Sequence, residues 1–436
     1  MKIGNLKNKN SSEISSSNLS VGCETLDRDF QNYNNYKEYL HKSGAKRARI
    51  QTGWGKIESK KGEYDFLWLD EIVDDMLAHG IRPWLELNYG NLLYEGGGGI
   101  TLADDIIRSE EALAAWDNWV EAMVSRYCGR VSEWEVWNEP DLSKLFTVEE
   151  YAEFYIRTAK VIKKVCPNAK IIAIAMCCPF KTDYLEKFLE ICKERDALSL
   201  ISVVSLHGYV VNPDEDISDL VFDRELIRRY IPDCEVWQGE TGAPSQNNSW
   251  GALRDWDANE LTQAKHNARR CLATIGNDML FNMFTMADLH YTERVNSKGL
   301  LETNSDMTVK RPKLAYNAFR NITTIFTGDL KRDKNVCFTG SKTLSMQLFK
   351  YTNVTNKSDV IVYWDKSKIP MKETPEETCD IKVLDCNIKN PVLIDIISGE
   401  AFRINEPEMK CKNVTVFEKL PFYDYPMVIA DESILK

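Results

Sequence analysis

Two short segments carry a carboxylate in a setting suited to acid–base chemistry: Trp137-Asn138-Glu139-Pro140 and Trp237-Gln238-Gly239-Glu240-Thr241-Gly242. Two carboxylates facing each other across a pocket are the equipment for glycosidic bond cleavage: one protonates the leaving oxygen while the other meets the developing oxocarbenium carbon. At a separation of about 5–5.5 Å the second acts as a nucleophile and forms a covalent sugar intermediate, which water then hydrolyses. Like-charge repulsion from an ionised Glu240 keeps the proton on Glu139, and that repulsion ends when Glu240 is esterified. Either glutamate alone reads as an ordinary surface or capping residue among the 66 acidic ones. The pairing carries the reading. Glu135, inside the preceding apolar run, reads as a buried, partnered carboxylate.

The elements that must position the pair follow from the rhythm of the chain. Apolar strand-like runs alternate with helical patterns from about residue 19 to residue 327, which predicts βα units and a parallel sheet. Eight such runs occur: Ser20–Cys23, Arg47–Ile50, Ile81–Leu87, Ser132–Trp137, Lys170–Met176, Leu200–Leu206, Cys234–Trp237 and Leu280–Phe284. Eight closes a (β/α)8 barrel, an α/β fold whose active sites form at the C-terminal ends of the strands. Glu139 then ends the fourth strand and Glu240 the seventh. Helical periodicity marks Leu67–Ala78 and Tyr151–Val165, and Thr147-x-x-Glu150 is a capping-box match ahead of the second. Leu314–Phe326 is the expected last barrel helix. After it the chain turns rich in Val, Ile, Thr and Tyr with turn clusters at 353–358 and 398–399, which predicts an antiparallel β-sandwich. The expected division is a polar N-terminal arm at 1–18, a catalytic barrel at 19–328 and an accessory sandwich at 329–436.

The Trp-Asn-Glu-Pro element, the rim Glu240 followed by Thr-Gly, and an arginine on the second strand together resemble the clan A glycoside hydrolases. Within that clan the chain is most similar to glycoside hydrolase family 39, the β-xylosidase and α-L-iduronidase family, and the barrel part of the resemblance covers roughly residues 19–327. The resemblance implies a retaining, exo-acting β-glycosidase with a carbohydrate substrate, the sugar being a xyloside or, by the same mechanism, a galactoside, glucoside or iduronide. It makes Glu139 the acid/base, Glu240 the nucleophile and Asn138 the partner of the sugar 2-hydroxyl. Arg49 takes the place of the arginine that keeps the nucleophile ionised, with Arg47 as the alternative if the strand register slips. His207 and Tyr209, ending the sixth strand, stand where the clan sets hydrogen-bonding groups near the nucleophile. Phe284 takes the position of the usual tryptophan floor; it can stack on a sugar but lacks the indole N–H. Trp54 and Trp250, in expected rim loops, are read as sugar-stacking walls, while Trp256 and Tyr291 are further rim aromatics. Asn88–Asn91 are expected to line the pocket and the glycine run at 96–99 to form a mobile rim loop. A carbohydrate-binding barrel without turnover is the alternative from another class.

The remaining features narrow the field. A net charge of −11 has the wrong sign for a chain held to phosphate backbones, so no nucleic acid partner is expected. The longest apolar runs fall short of the roughly 20 residues that cross a bilayer, so no membrane partner is expected, and the polar N-terminus has no signal core, which suggests the cytoplasm. The 12 cysteines show neither CxxC pairs nor scaffold spacing and read mostly as small buried apolar residues. Sequons such as Asn353-Val-Thr355 then carry little. No cofactor and no metal are implied, because the five histidines do not cluster. No phosphate cradle fits the glycine run. Self-association is left open.

Overall fold

A computed structural model of the protein describes every residue except 103, 143–145, 179–181, 405–407, 412 and 436. Eight parallel strands close a barrel: β2 (Leu19–Gly22), β3 (Arg47–Gln51), β4 (Arg82–Leu87), β5 (Glu133–Val136), β6 (Lys170–Met176), β7 (Val203–Leu206), β8 (Glu235–Thr241) and β9 (Leu280–Met283). A short strand, β1 (Lys2–Asn5), precedes them. All eight apolar runs of the sequence become barrel strands. Strands buried on both faces have no solvent side to alternate toward, so they read as continuous apolar runs.

The helices are α1 (Tyr33–Lys42), α2 (Trp54–Ile57), α3 (Leu67–Ala78), α4 (Glu110–Tyr127), α5 (Val148–Val165), α6 (Thr182–Glu194), α7 (Ile217–Tyr230), α8 (Glu260–Gly276) and α9 (Leu314–Ile325). The capping box forms at α5: Glu150 N donates to Thr147 Oγ1 at 3.2 Å, and Thr147 N donates to a Glu150 carboxylate oxygen at 2.9 Å. None of the described helices is long and apolar enough to cross a membrane. The reading of the cysteines needs one correction. Cys128 and Cys166 form a disulfide. Each is the residue after the last of α4 and α5, and neighbouring helices of a βα barrel run the same way, so their C-terminal ends lie side by side.

Beyond α9 two antiparallel sheets form. The larger has seven strands, and one edge of it is β1, whose Lys2–Asn5 pairs with Glu400–Phe402. Lys2–Asn5, within the expected polar N-terminal arm, are therefore a strand of the sandwich. The smaller sheet has four strands. A fully buried ion pair ties sandwich to barrel: Lys265 Nζ of α8 donates to Asp424 at 2.8 Å, with further bonds to the carbonyls of Met371 and Glu373. Buried charges persist only when paired and fully hydrogen-bonded, and these are.

Candidate active site

Glu139 sits three residues beyond β5, and the turn that delivers it is conformationally unusual. Trp137 and Glu139 both have left-handed backbone, φ 67° and 48°. Non-glycine residues adopt that region rarely, and where they do the surroundings hold them there. Trp137 packs edge-on against Tyr89, Phe146 and Phe154, while Glu139 N donates to the Ala175 carbonyl of β6 at 3.0 Å. Glu240 is the penultimate residue of β8. Its neighbour must be glycine: a Cβ on Gly239 would lie 1.9 Å from Ser205 Oγ and 3.3 Å from Trp84.

The fold brings the two carboxylates together. One oxygen of each lies within 4.8 Å of the other and of a ring nitrogen of His207, and both residues are 8% exposed, buried but reachable. His207 Nδ1 bonds Glu139 Oε1 at 2.9 Å. Tyr209 OH donates to Glu240 Oε1 at 2.6 Å, and Arg49 donates to Glu240 Oε2 at 2.9 Å. Arg49 also donates to Asn138 Oδ1 at 2.7 Å, and the Asn138 amide nitrogen donates to Tyr89 OH at 3.2 Å. Of the two arginines on β3, Arg49 is thus the one at the pair. Arg47 lies a layer deeper and pairs with Glu133.

The aromatic residues divide differently from the sequence reading. Phe284, immediately after β9, stands edge-on to Tyr209 with centroids 6.4 Å apart. A Cβ on Gly242 would meet the Phe284 carbonyl at 2.0 Å, so the glycine after Thr241 is what lets the two loops approach. Trp54, expected as a sugar wall, is instead core. It is 0% exposed in α2, stacks on Tyr94 and packs against Trp116 and Trp119, and its Nε1 donates to Glu58. Trp250 is half-buried, edge-on to Tyr291, with the Arg294 guanidinium 4.1 Å over its ring. Tyr89 and Asn91 line a cavity of about 610 Å³ with Arg28, Lys56, Leu92 and Ile100. Through its bond to Asn138, Tyr89 links this cavity to the carboxylate pair.

Sequence reasoning missed the charge system beneath the pair. Arg49, fully buried, faces four carboxylates: Glu24 at 3.2 Å, Glu135 at 2.7 Å, Glu240 at 2.9 Å, and Glu86. One guanidinium cannot offset four buried anions, so protons remain. Burial pushes Glu24 up to about 8 and Glu86 well above the usual carboxylate range, and it also raises Glu135. A signal existed for part of this. Arg47 and Arg49 on one strand, and Glu133 and Glu135 on another, share the two-residue step that aims side chains at one face. Lys298, also missed, sits 5.4 Å over the Tyr209 ring and is lowered to about 8 by burial.

Burial lowers His207 and His266 to about 4 from 6.5, so both imidazoles are neutral in the fold. These groups predict the shape of stability against pH. The unfolded chain takes up protons below 6.5 that the two folded histidines refuse, so stability falls as pH drops from there toward 4. Folded Glu24 keeps a proton that the unfolded chain loses near 4.5, so stability also falls as pH rises toward 8. Thermal midpoints should therefore decline from pH 6.5 to 8, and Glu24→Gln should flatten that decline. A midpoint that rises over this interval contradicts the protonated cluster.

Residues 34–231 match the family model described as Glycosyl hydrolases family 39. A stretch of 157 residues, 34% of the chain, is 30% identical to a beta-xylosidase of Geobacillus stearothermophilus and covers 31% of it. A stretch of 119 residues is 34% identical to a beta-xylosidase of Caldicellulosiruptor saccharolyticus, covering 25% of the chain and 24% of that protein. The matched stretches thus span a third or less of these curated relatives. Among solved structures, a family 39 glycoside hydrolase from the gut symbiont Bacteroides cellulosilyticus WH2 has a TM-score of 0.72 at 18% identity, over 97% of this chain and 82% of that one. A monomeric beta-xylosidase from Caulobacter crescentus CB15 gives 0.63 at 16%, over 96% and 97%. At those identities the likeness is one of fold.

Proposed function

We propose that the chain, whose residues 34–231 match glycosyl hydrolases family 39, is a retaining β-glycosidase of exo action, cleaving β-xylosides by double displacement. The observation that carries the mechanism is the spacing of Glu139 and Glu240, whose nearest oxygens lie within 4.8 Å. Retaining enzymes hold their carboxyl groups at about 5–5.5 Å, while inverting enzymes need about 6.5–9.5 Å to admit a water between them. The choice of a terminal xyloside rests on the beta-xylosidases among its relatives.

The surrounding groups supply each step. Arg49 and Tyr209, one on each oxygen, fix the Glu240 carboxylate so that it meets the anomeric carbon without reorganising. The neutral imidazole of His207, donating from Nδ1 to Glu139 Oε1, leaves the acid's proton to Oε2 for the leaving oxygen. Asn138, its oxygen held by Arg49, presents N–H to the sugar 2-hydroxyl, a bond that strengthens toward the transition state. After the aglycone leaves, Glu139 takes a proton from water, and the water oxygen attacks the anomeric carbon from the face just vacated, breaking its bond to Glu240 and restoring that carboxylate.

A panel of nitrophenyl glycosides followed by proton NMR tests the proposal. The β-xyloside should be turned over fastest, and the β-anomer of the free sugar should appear first. First release of the α-anomer would exclude a nucleophilic Glu240. Preference for another glycone would keep the mechanism and replace the sugar.

A further inference from the structure

The geometry assigns a second site to this barrel: Asp141, Cys177 and Cys178 form a three-donor site for a soft divalent cation of the zinc–cadmium class, next to the candidate acid. Three side chains converge there from two rim loops. The Cys177 thiol donates to Asp141 Oδ2 at 3.1 Å, the two sulfurs are 3.3 Å apart, and one ligand atom from each residue lies within 4.8 Å of the others. Asp141 is buried, its Oδ1 accepting from Cys177 N at 2.8 Å, while both cysteines are half-buried and reachable.

The donor set and its spacing select the ion. Two thiolates and a carboxylate suit a soft, tetrahedral cation that keeps its fourth position for water, rather than magnesium or calcium, which take oxygen donors. Bonds of about 2.3 Å to sulfur and about 2.0 Å to oxygen put tetrahedral donors about 3.8 Å (S to S) and about 3.5 Å (S to O) apart. The Cys177–Cys178 and Cys177–Asp141 separations therefore have to open by only about half an ångström. Binding is an exchange in which the cation forms two metal–sulfur bonds and two protons leave to solvent, so affinity rises with pH.

Occupancy reaches the acid through the backbone. Asp141 lies two residues beyond Glu139. Cys177 follows Met176, whose carbonyl accepts from His207 N at 2.8 Å, and Ala175 holds Glu139 N. Spreading Asp141 and Cys177 displaces the two segments that set the Glu139–His207 bond, and misplacement on that scale costs up to about a hundredfold in rate. A bound cation thus acts as an inhibitor. The inhibition rests on the glycosidase reading, whereas the binding does not.

Cadmium titration of the full chain is the test. One equivalent should bind with an ultraviolet thiolate-to-metal charge-transfer band and release two protons, xyloside turnover should fall at least about tenfold, and chelator should restore it. Cys178→Ser should abolish the band and resist inhibition while keeping metal-free turnover, Asp141→Asn should weaken binding by about tenfold or more, and exposed Cys337→Ser should change nothing. An unchanged band and stoichiometry in Cys178→Ser overturns the site. A band without inhibition overturns the coupling to Glu139. A parent chain inactive before metal counts against the glycosidase reading alone, because the band and proton count still judge the site.

Discussion

Glu240→Ala should lower turnover by at least about 10⁴-fold on every glycoside the protein cleaves, with little change in the folded state. The size follows from what the residue does. Its oxygen forms the bond that replaces the aglycone, and among the described residues no other carboxylate is placed to substitute. Glu24, Glu86 and Glu135 surround the same arginine but are sealed beneath the pair, each 2% exposed or less. The glycine variant makes the case sharper. Glu240→Gly leaves a hole lined by the Arg49 guanidinium and Tyr209 hydroxyl, both donors without their acceptor, and a small anion fits that hole. Azide should restore activity by attacking the anomeric carbon from the nucleophile's face in one displacement, so the β-glycoside should yield the α-glycosyl azide. A β-azide would mean that another residue still forms the covalent intermediate, and full activity without azide would remove Glu240 from the chemistry.

What the sequence made legible divides along physical lines. Strands buried on both faces announce themselves as apolar runs, so the eight-strand barrel follows from pattern alone, and the rim rule then singles out Glu139 and Glu240. The capping box at Thr147 and the span of α3 are equally local. Burial by distant partners is not local, and there the reading failed. Trp54 follows a strand directly, as a rim residue would, yet α2 turns it inward against Trp116 and Trp119 of α4, about sixty residues on. Glu24 and Lys298 belong to no motif: pairing of β2 with β3 brings the first to Arg49, and the packing of rim loops brings the second to Tyr209. The Cys128–Cys166 pair was within reach. Two cysteines that each end a helix in consecutive βα units are neighbours wherever those helices run parallel.

The consequence of removing the acid depends on the substrate, which separates Glu139 from every residue that merely supports the fold. Glu139→Ala should slow cleavage of alkyl glycosides by about 10²–10⁴-fold, the contribution of a positioned proton donor. For dinitrophenyl glycosides, whose aglycone leaves as a stable anion, the first step needs no proton and should be nearly unaffected. Their hydrolysis should instead stall at the second step, where Glu139 acts as base, giving a burst of phenolate followed by slow turnover. Azide should relieve that stall with retention, because it attacks the glycosyl–Glu240 ester without needing to be deprotonated. The stereochemical outcomes of the two rescues are therefore opposite. Equal losses for good and poor leaving groups, with no burst, would show that Glu139 shapes the rim without transferring a proton, and the neutral His207 beside it would become the group to test.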